Sequence, residues 1–196
     1  MDFYQSIERE SQAEFKDRGS RFIAYACPVT DTAQFKTFLQ RLKKEHPKAV
    51  HHCFAYRLGL DGNQFRSSDD GEPSGSAGRP ILGQIDSKGL TDVAVVVVRY
   101  FGGTLLGVPG LIHAYKTVTS LALQVVPIVQ KPVLQNFELQ FDYTQLNDVQ
   151  ILIRQMNGQV LQLEQLLFCS MLVGIPKSRV EEFLFRAKEI RNVEIH

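Results

Sequence analysis

Cysteine is scarce in this 196-residue chain, and its acidic and basic residues nearly cancel. The three cysteines, Cys27, Cys53 and Cys169, are odd in number, far apart and without a CxxC pair. That pattern excludes a disulfide framework and a structural zinc site, and points to reduced thiols in a cytosol. The first residues, MDFYQSIERESQAEFKDRGSRF, lack the basic segment and apolar core of a signal peptide. Apolar runs reach only six residues, as in VAVVVV from Val93, far short of a membrane span. A cytoplasmic location without a membrane partner is the expectation. The net charge of +1 offers no bulk field for a nucleic acid. Up to about Pro132 there are 16 Lys and Arg against 13 Asp and Glu, and beyond it 6 against 8. Any basic patch must therefore be local. No internal repeat is visible.

What is present suits a folded protein. Apolar residues make up 44% of the chain, enough for a core in one or two domains. SRFIAYACPV from Ser20 to Val29 is rich in strand formers and stops at a proline. TDTAQFKTFLQRLKKEHP follows as an amphipathic helix with a basic outer face, capped by Thr30 or Asp31. In it Phe35, Phe38, Leu39 and Leu42 fall at helical spacing. HHCFAYRLG from His51 alternates as a strand and ends in a hairpin-type turn. TDVAVVVVRYF from Thr91 is the strongest strand, and its unbroken apolar run predicts burial on both faces. LIHAYKTVTSLALQVV follows as a helix with Ile112, Tyr115, Val118, Ala122 and Leu123 on one face.

Lys131 and Pro132 mark a hinge, which divides the chain into domains over 1–131 and 132–196. Beyond it come a strand VLQNFELQFD, a helix capped by Thr144 and closed by Gly158, and a hairpin. A helix with Pro176 near its start and a last strand NVEIH complete the segment. This βαββαβ order predicts a ferredoxin-like unit, and the fold class is α+β.

Three segments can carry chemistry: HHCFAYR, SSDDGEPSGSAGRP and RYFGGTLLGVPGL. In the second, Asp69 and Asp70 can make Asx turns, and Gly71, Gly75 and Gly78 can take positive φ. Read functionally, Pro73 and Pro80 stiffen a ligand-facing loop. Asp69, Asp70 and Glu72 could meet a hard cation, but three carboxylates in four residues do not converge easily on one ion, and EF-hand spacing is absent. Salt bridges to Arg21, Arg66, Arg79 or Arg99 are the favoured alternative, so neither metal nor cofactor is expected. His51 and Cys53 share a strand face, which permits a Cys–His pair, yet no oxyanion loop accompanies them. A strand leading through glycines into a helix, as in RYFGG, can cradle an anion or can simply pack tightly.

Together these strings resemble the signature of the IMPACT family and its bacterial YigZ-type members. SDDGEPSGSAG is the most specific part. The resemblance covers the whole chain. It implies an N-terminal domain similar to the second domain of ribosomal protein S5 and a C-terminal domain similar to the last domain of elongation factor G. Eukaryotic members regulate translation in amino-acid starvation by competing for the activator of a kinase, and use an additional N-terminal module to do so. This chain begins directly at the shared domain, so that role is not expected to carry over. Two positions depart from the family pattern: Pro109 replaces a glycine, removing one backbone N–H, and His113 replaces a basic residue.

The expected function is a cytosolic, non-enzymatic protein that binds RNA, the ribosome or a translation-related protein. The rival is an enzyme or phosphate-ligand binder with a site between the two glycine-rich loops. The expected contact residues are Arg21, His51, Cys53, Ser68, Asp69, Asp70, Gly71, Glu72, Pro73, Arg79, Arg99, Tyr100, Gly102, Gly103 and Lys116, with no catalytic residue among them.

Overall fold

The structure, a computed structural model, describes residues 2–196. The chain opens with β1 (Phe3–Ile7), β2 (Ser11–Asp17) and β3 (Ser20–Pro28), then α1 (Thr32–Glu45), β4 (His51–Leu58) and β5 (Gln64–Ser68). Next come α2 (Gly78–Ser87), β6 (Val93–Tyr100), α3 (Gly107–Gln124) and β7 (Ile128–Pro132). The remainder holds β8 (Leu134–Phe141), α4 (Leu146–Gln155), β9 (Gln159–Gln165), β10 (Cys169–Pro176), α5 (Val180–Ala187) and β11 (Val193–Ile195). Contacts divide the described residues into two compact units, Tyr4–Gln130 and a second built from Lys131–His196 with Asp2 and Phe3. Mixed α and β structure in two units is thus observed.

In the first unit a five-stranded sheet runs β2-β3-β6-β4-β5. Every neighbouring pair is antiparallel. The centre is β6, with Val93 to Arg99 all buried. One face packs on α1 through Phe35, Phe38 and Leu42, against Ile23, Phe54, Val96 and Val98. The other packs on α2 and α3, where Val93, Val95 and Val97 meet Ile81, Ile85, Tyr115 and Val118. Helices on both faces explain the unbroken valine run, since neither face of β6 needs polar side chains.

Asp31 caps α1 by accepting from the Gln34 N–H at 2.8 Å. The short ILGQIDSKG stretch, ambiguous in sequence, forms most of α2. Helix α3 starts at Gly107, ahead of the expected Leu111, and includes Pro109 in its first turn. N–H groups there have no intrahelical acceptor, so proline fits. Ile112 does not join the core face. It is exposed, while Tyr115, Val118, Ala122 and Leu123 are buried.

Lys131 and Pro132, read as the division between domains, end β7, which pairs with β1 in a separate two-stranded sheet; the boundary between the two units falls at Gln130 and Lys131. In the second unit the antiparallel sheet order is β11-β8-β10-β9. Its core gathers Phe137, Leu139, Met171 and Val173 with Val149, Ile153 and Phe183 of the helices.

Three expected helix boundaries move here. Thr144 does not cap α4, because a 3₁₀ turn at Tyr143–Gln145 leads in, with the Gln145 N–H bonded to the Asp142 carbonyl at 2.9 Å. Asn157, at φ 55°, takes the left-handed position after α4, and the following Gly158 N–H closes onto the Ile153 carbonyl at 2.9 Å. Pro176 ends β10, and a second 3₁₀ turn, Lys177–Arg179, precedes α5.

Candidate functional site

The Ser67–Pro80 segment is pinned along its length. It leaves β5 at Ser68 and enters α2 at Gly78. Asp69 holds the start of that helix from inside. Its Oδ1 accepts the Ala77 and Gly78 N–H groups at 3.1 and 2.8 Å, and its Oδ2 accepts that of Gly75 at 2.9 Å. Burial pushes its carboxyl up, but the three backbone donors outweigh this and hold it below the usual carboxylate range. Asp70, at φ 43°, turns back to β4. Its Oδ2 accepts the His52 N–H at 2.7 Å, and its carbonyl lies 2.7 Å from His51 Nδ1. Gly71 follows at φ 90°, with its Cα hydrogens against the His51 ring. Gly78 does not take the positive φ expected of it. It is needed for space, because a Cβ there would meet the Ser68 backbone nitrogen at 2.7 Å. Ser68 Oγ accepts the Asp70 N–H at 3.2 Å.

Beneath this loop lies a buried polar chain. Glu72 and Arg99 are only 8% and 5% exposed. Arg99 Nη1 donates to Glu72 Oε1 at 2.5 Å, and Tyr115 Oη donates to the same oxygen at 2.7 Å. Cys53 Sγ lies 3.0 Å from the Asp69 carbonyl oxygen and 3.3 Å from Tyr115 Oη, and its single hydrogen has these two acceptors. Arg99 Nη2 reaches Ser20 Oγ at 3.4 Å, and its guanidinium lies over the Phe22 ring at 5.3 Å. His51 Nε2 stands 3.8 Å from Glu72 Oε2. Alternation in β4 brings His51 and Cys53 to this face, as expected, and register opposes His51 to Arg99.

The polar groups of this chain are bonded to one another within the fold. Burial drives the Cys53 thiol well above its ordinary range, and the hydroxyl of Tyr115 likewise. A thiol kept protonated in this way is inert. An ion pair this deep gains from mutual attraction only if both partners are satisfied, and removing one partner typically costs about 3–5 kcal/mol.

Other expected contact residues are divided between the two sides of the sheet. Arg99 is enclosed on the α2–α3 side and is not a surface cation. Arg21 is exposed and pairs with Glu14 at 2.7 Å. Tyr100 Oη lies 2.8 Å from His46 Nδ1, while Tyr25 Oη meets His46 Nε2 at 2.8 Å, on the α1 side. Its ring is therefore committed to a Tyr–His–Tyr cluster. Gly102 backs onto Gly19, where a Cβ would come within 1.9 Å of a carbonyl carbon. Gly103, at φ 89°, has open space around it. Pro73, Arg79 and Lys116 are exposed. Ser20, His46 and the hydroxyl of Tyr115 had no signal in sequence, because their partners lie far along the chain. Among the described residues no cluster of His, Cys, Asp and Glu suits a metal ion, and no helix is long and apolar enough to cross a membrane.

Comparison with known proteins agrees with the signature strings. The model of the Impact N-terminal domain matches residues 18–123. IMPACT family member YigZ of Escherichia coli (strain K12) is 37% identical over 166 residues, 84% of this chain and 81% of that protein. IMPACT family member YvyE of Bacillus subtilis (strain 168) is 35% identical over 152 residues, 78% of this chain and 70% of that protein. A crystal structure described only as that of a hypothetical protein superposes with a TM-score of 0.81 at 33% identity, over 100% of this chain and 97% of that one. The chain belongs to the IMPACT family, in its bacterial YigZ-type branch.

Proposed function

We propose that the protein is a non-catalytic binding module of the cytosol that acts on the translation apparatus, through RNA, the ribosome or an associated protein. The observation that carries this reading is the internal use of the signature side chains. Asp69, Glu72, Arg99 and Cys53 all bond within the fold, Glu72 also to Tyr115 of α3, so the SDDGEPSG and RYFGG strings work as a scaffold for the surface above them. Pro73, Arg79 and Lys116 are exposed and are the contact residues this reading keeps. A phosphate-binding enzyme is less well supported. Of the two helix starts beside these loops, that of α2 already holds the Asp69 carboxylate.

Two features of the fold support the link to translation. We assign 1–131 and 132–196 as domains. The five-stranded sheet of the first is read as similar to the second domain of ribosomal protein S5. The β8-α4-β9-β10-α5-β11 order with strand order β11-β8-β10-β9 is read as ferredoxin-like and similar to the last domain of elongation factor G.

Co-sedimentation with ribosomes, with and without RNase treatment, tests the reading. The expected result is protein in the ribosomal or subunit fractions at low salt. Its absence from these fractions, together with no translation component retained by the tagged protein from lysate, would overturn it.

A further inference from the structure

Of the cations first expected to meet RNA, Arg21 and Arg99 are paired within the fold, and α1 carries a second set. Taken at 3.6 residues per turn, Lys36, Gln40, Lys43 and Lys44 share about 100° of the helix surface. All four are exposed, and Lys48 follows just past the helix end, also exposed. None of the four lysines has a carboxylate in salt-bridge range among the described residues. The acids near α1 lie on its other flank, where Arg41 bonds Glu10 at 2.6 Å and approaches Glu45 at 3.9 Å.

Arg66 on the edge strand β5 extends the set. Its guanidinium sits 6.0 Å from the Phe54 ring, and Phe54 packs on Phe35 of α1 at 4.8 Å. His52, two residues before Phe54 on the same face of β4, has its pKa lowered by burial first and by the charge of Lys43 to a smaller degree. Asp70, the acid that acts on His52, has one carboxylate oxygen bonded to the His52 N–H at 2.7 Å.

Helix-dipole compensation explains cations only in the last turn, where Lys43 and Lys44 stand. It does not explain Lys36 in the first half of α1 or Arg66 on another element. An anionic membrane surface would need an apolar stripe to insert. In α1 that stripe, Phe35, Phe38 and Leu42, is buried against the sheet. From Lys36 to Lys44 the helix rises about 12 Å, the length of three to four nucleotides at about 3.4 Å each.

We propose that the lysine flank of α1, with Lys48 and Arg66, is a binding surface for the phosphate backbone of RNA. This deepens the translation reading by naming the ligand class and the face, and it rests on that reading. Recognition here is electrostatic and indifferent to base sequence, because lysines meet phosphates as point charges.

The test is fluorescence anisotropy of the full chain with a mixed-sequence single-stranded RNA of about 20 nucleotides, between about 50 and about 200 mM salt. Five phosphate contacts give a log–log slope of about −3.5, roughly a hundredfold loss over that range. Changing Lys36→Gln, Lys43→Gln and Lys44→Gln together should flatten the slope by about 2 units, leaving roughly a sevenfold loss. The melting temperature should hold, and Arg66→Gln alone should flatten the slope by somewhat less than one unit. If the wild type binds with salt dependence but the triple change leaves the slope intact, or if Lys116→Gln flattens it instead, the α1 surface is wrong while RNA binding stands. If phosphatidylserine vesicles bind as tightly and lose binding in the same variant, the surface is not an RNA site. If no RNA binds at low salt, the inference fails and the translation reading is judged by ribosome sedimentation alone.

Discussion

Tyr115 of α3 donates its hydroxyl hydrogen to Glu72 Oε1 at 2.7 Å, bridging 43 residues of sequence. That oxygen also takes the Arg99 guanidinium, so one carboxylate ties the signature loop to the central strand and to a helix. Removing the phenol by Tyr115→Phe leaves a buried acceptor short of one donor, at a cost of about 1–3 kcal/mol. Glu72→Gln should cost more, about 3–5 kcal/mol, because Arg99 is left buried without a counter-charge. Thermal melts check both. A Glu72→Gln protein melting within a degree of the wild type would show that the pair does not hold the loop.

Thiol reactivity separates scaffold from nucleophile. Cys53 is buried with its thiol pushed far up by desolvation, and Cys27 is half-buried and raised to about 11. Native protein at neutral pH should therefore react slowly with iodoacetamide, and all three cysteines should react once unfolded. Rapid labelling of Cys53 in the folded protein would restore the nucleophile reading.

Burial, with a smaller push from Lys43, lowers the His52 pKa below its ordinary 6.5. Between the two values the unfolded chain binds a proton that the folded protein refuses. Stability is then fully present above about pH 6.5 and falls as pH drops through that window. His52→Gln should flatten this part of the curve of melting temperature against pH. An unchanged slope between about pH 5 and 7 would place the dependence elsewhere.

Two glycine substitutions should act in opposite directions. Gly102→Ala places a Cβ 1.9 Å from the Gly19 carbonyl carbon and 2.2 Å from the Ser20 nitrogen. Backbone must move, and a loss of at least about 3 kcal/mol is expected. Gly83→Ala sits within α2 with nothing inside 4 Å, so it should stabilise by about 0.5–1 kcal/mol. Urea titrations distinguish the two, and a folded, wild-type-like Gly102→Ala protein would contradict the close strand-to-turn approach.

The four strands β8 to β11 pair only with one another in their sheet. A chain starting at Lys131 should thus fold alone. Its small core limits it to roughly 3–5 kcal/mol. A cooperative thermal transition would support the boundary, and a broad non-cooperative one would count against it.

Local pattern made much of the fold legible. The valine run of β6 announced burial on both faces, and Asp31 announced the start of α1. The alternation of β4 set His51 and Cys53 on one face. Each of these depends on neighbours within a turn or a strand, which periodicity records. Where entry into a helix ran through a 3₁₀ turn, as before α4 and α5, the same pattern misled, because a backbone bond did the work expected of Thr144 or Pro176.

The composition and spacing of residues by themselves determined which segments become strands and helices, and which strings stand out. Only the tertiary structure decided which charges face water. The sequence left Arg99 open to a phosphate or to a loop carboxylate, and the fold pairs it with Glu72, 27 residues earlier and itself bonded to Tyr115, while among the described residues Lys36, Lys43 and Lys44 have no carboxylate in salt-bridge range. The reason is physical. The energy of a charge depends on its desolvation and on the partners it meets, and both are set by residues that the chain order keeps far apart.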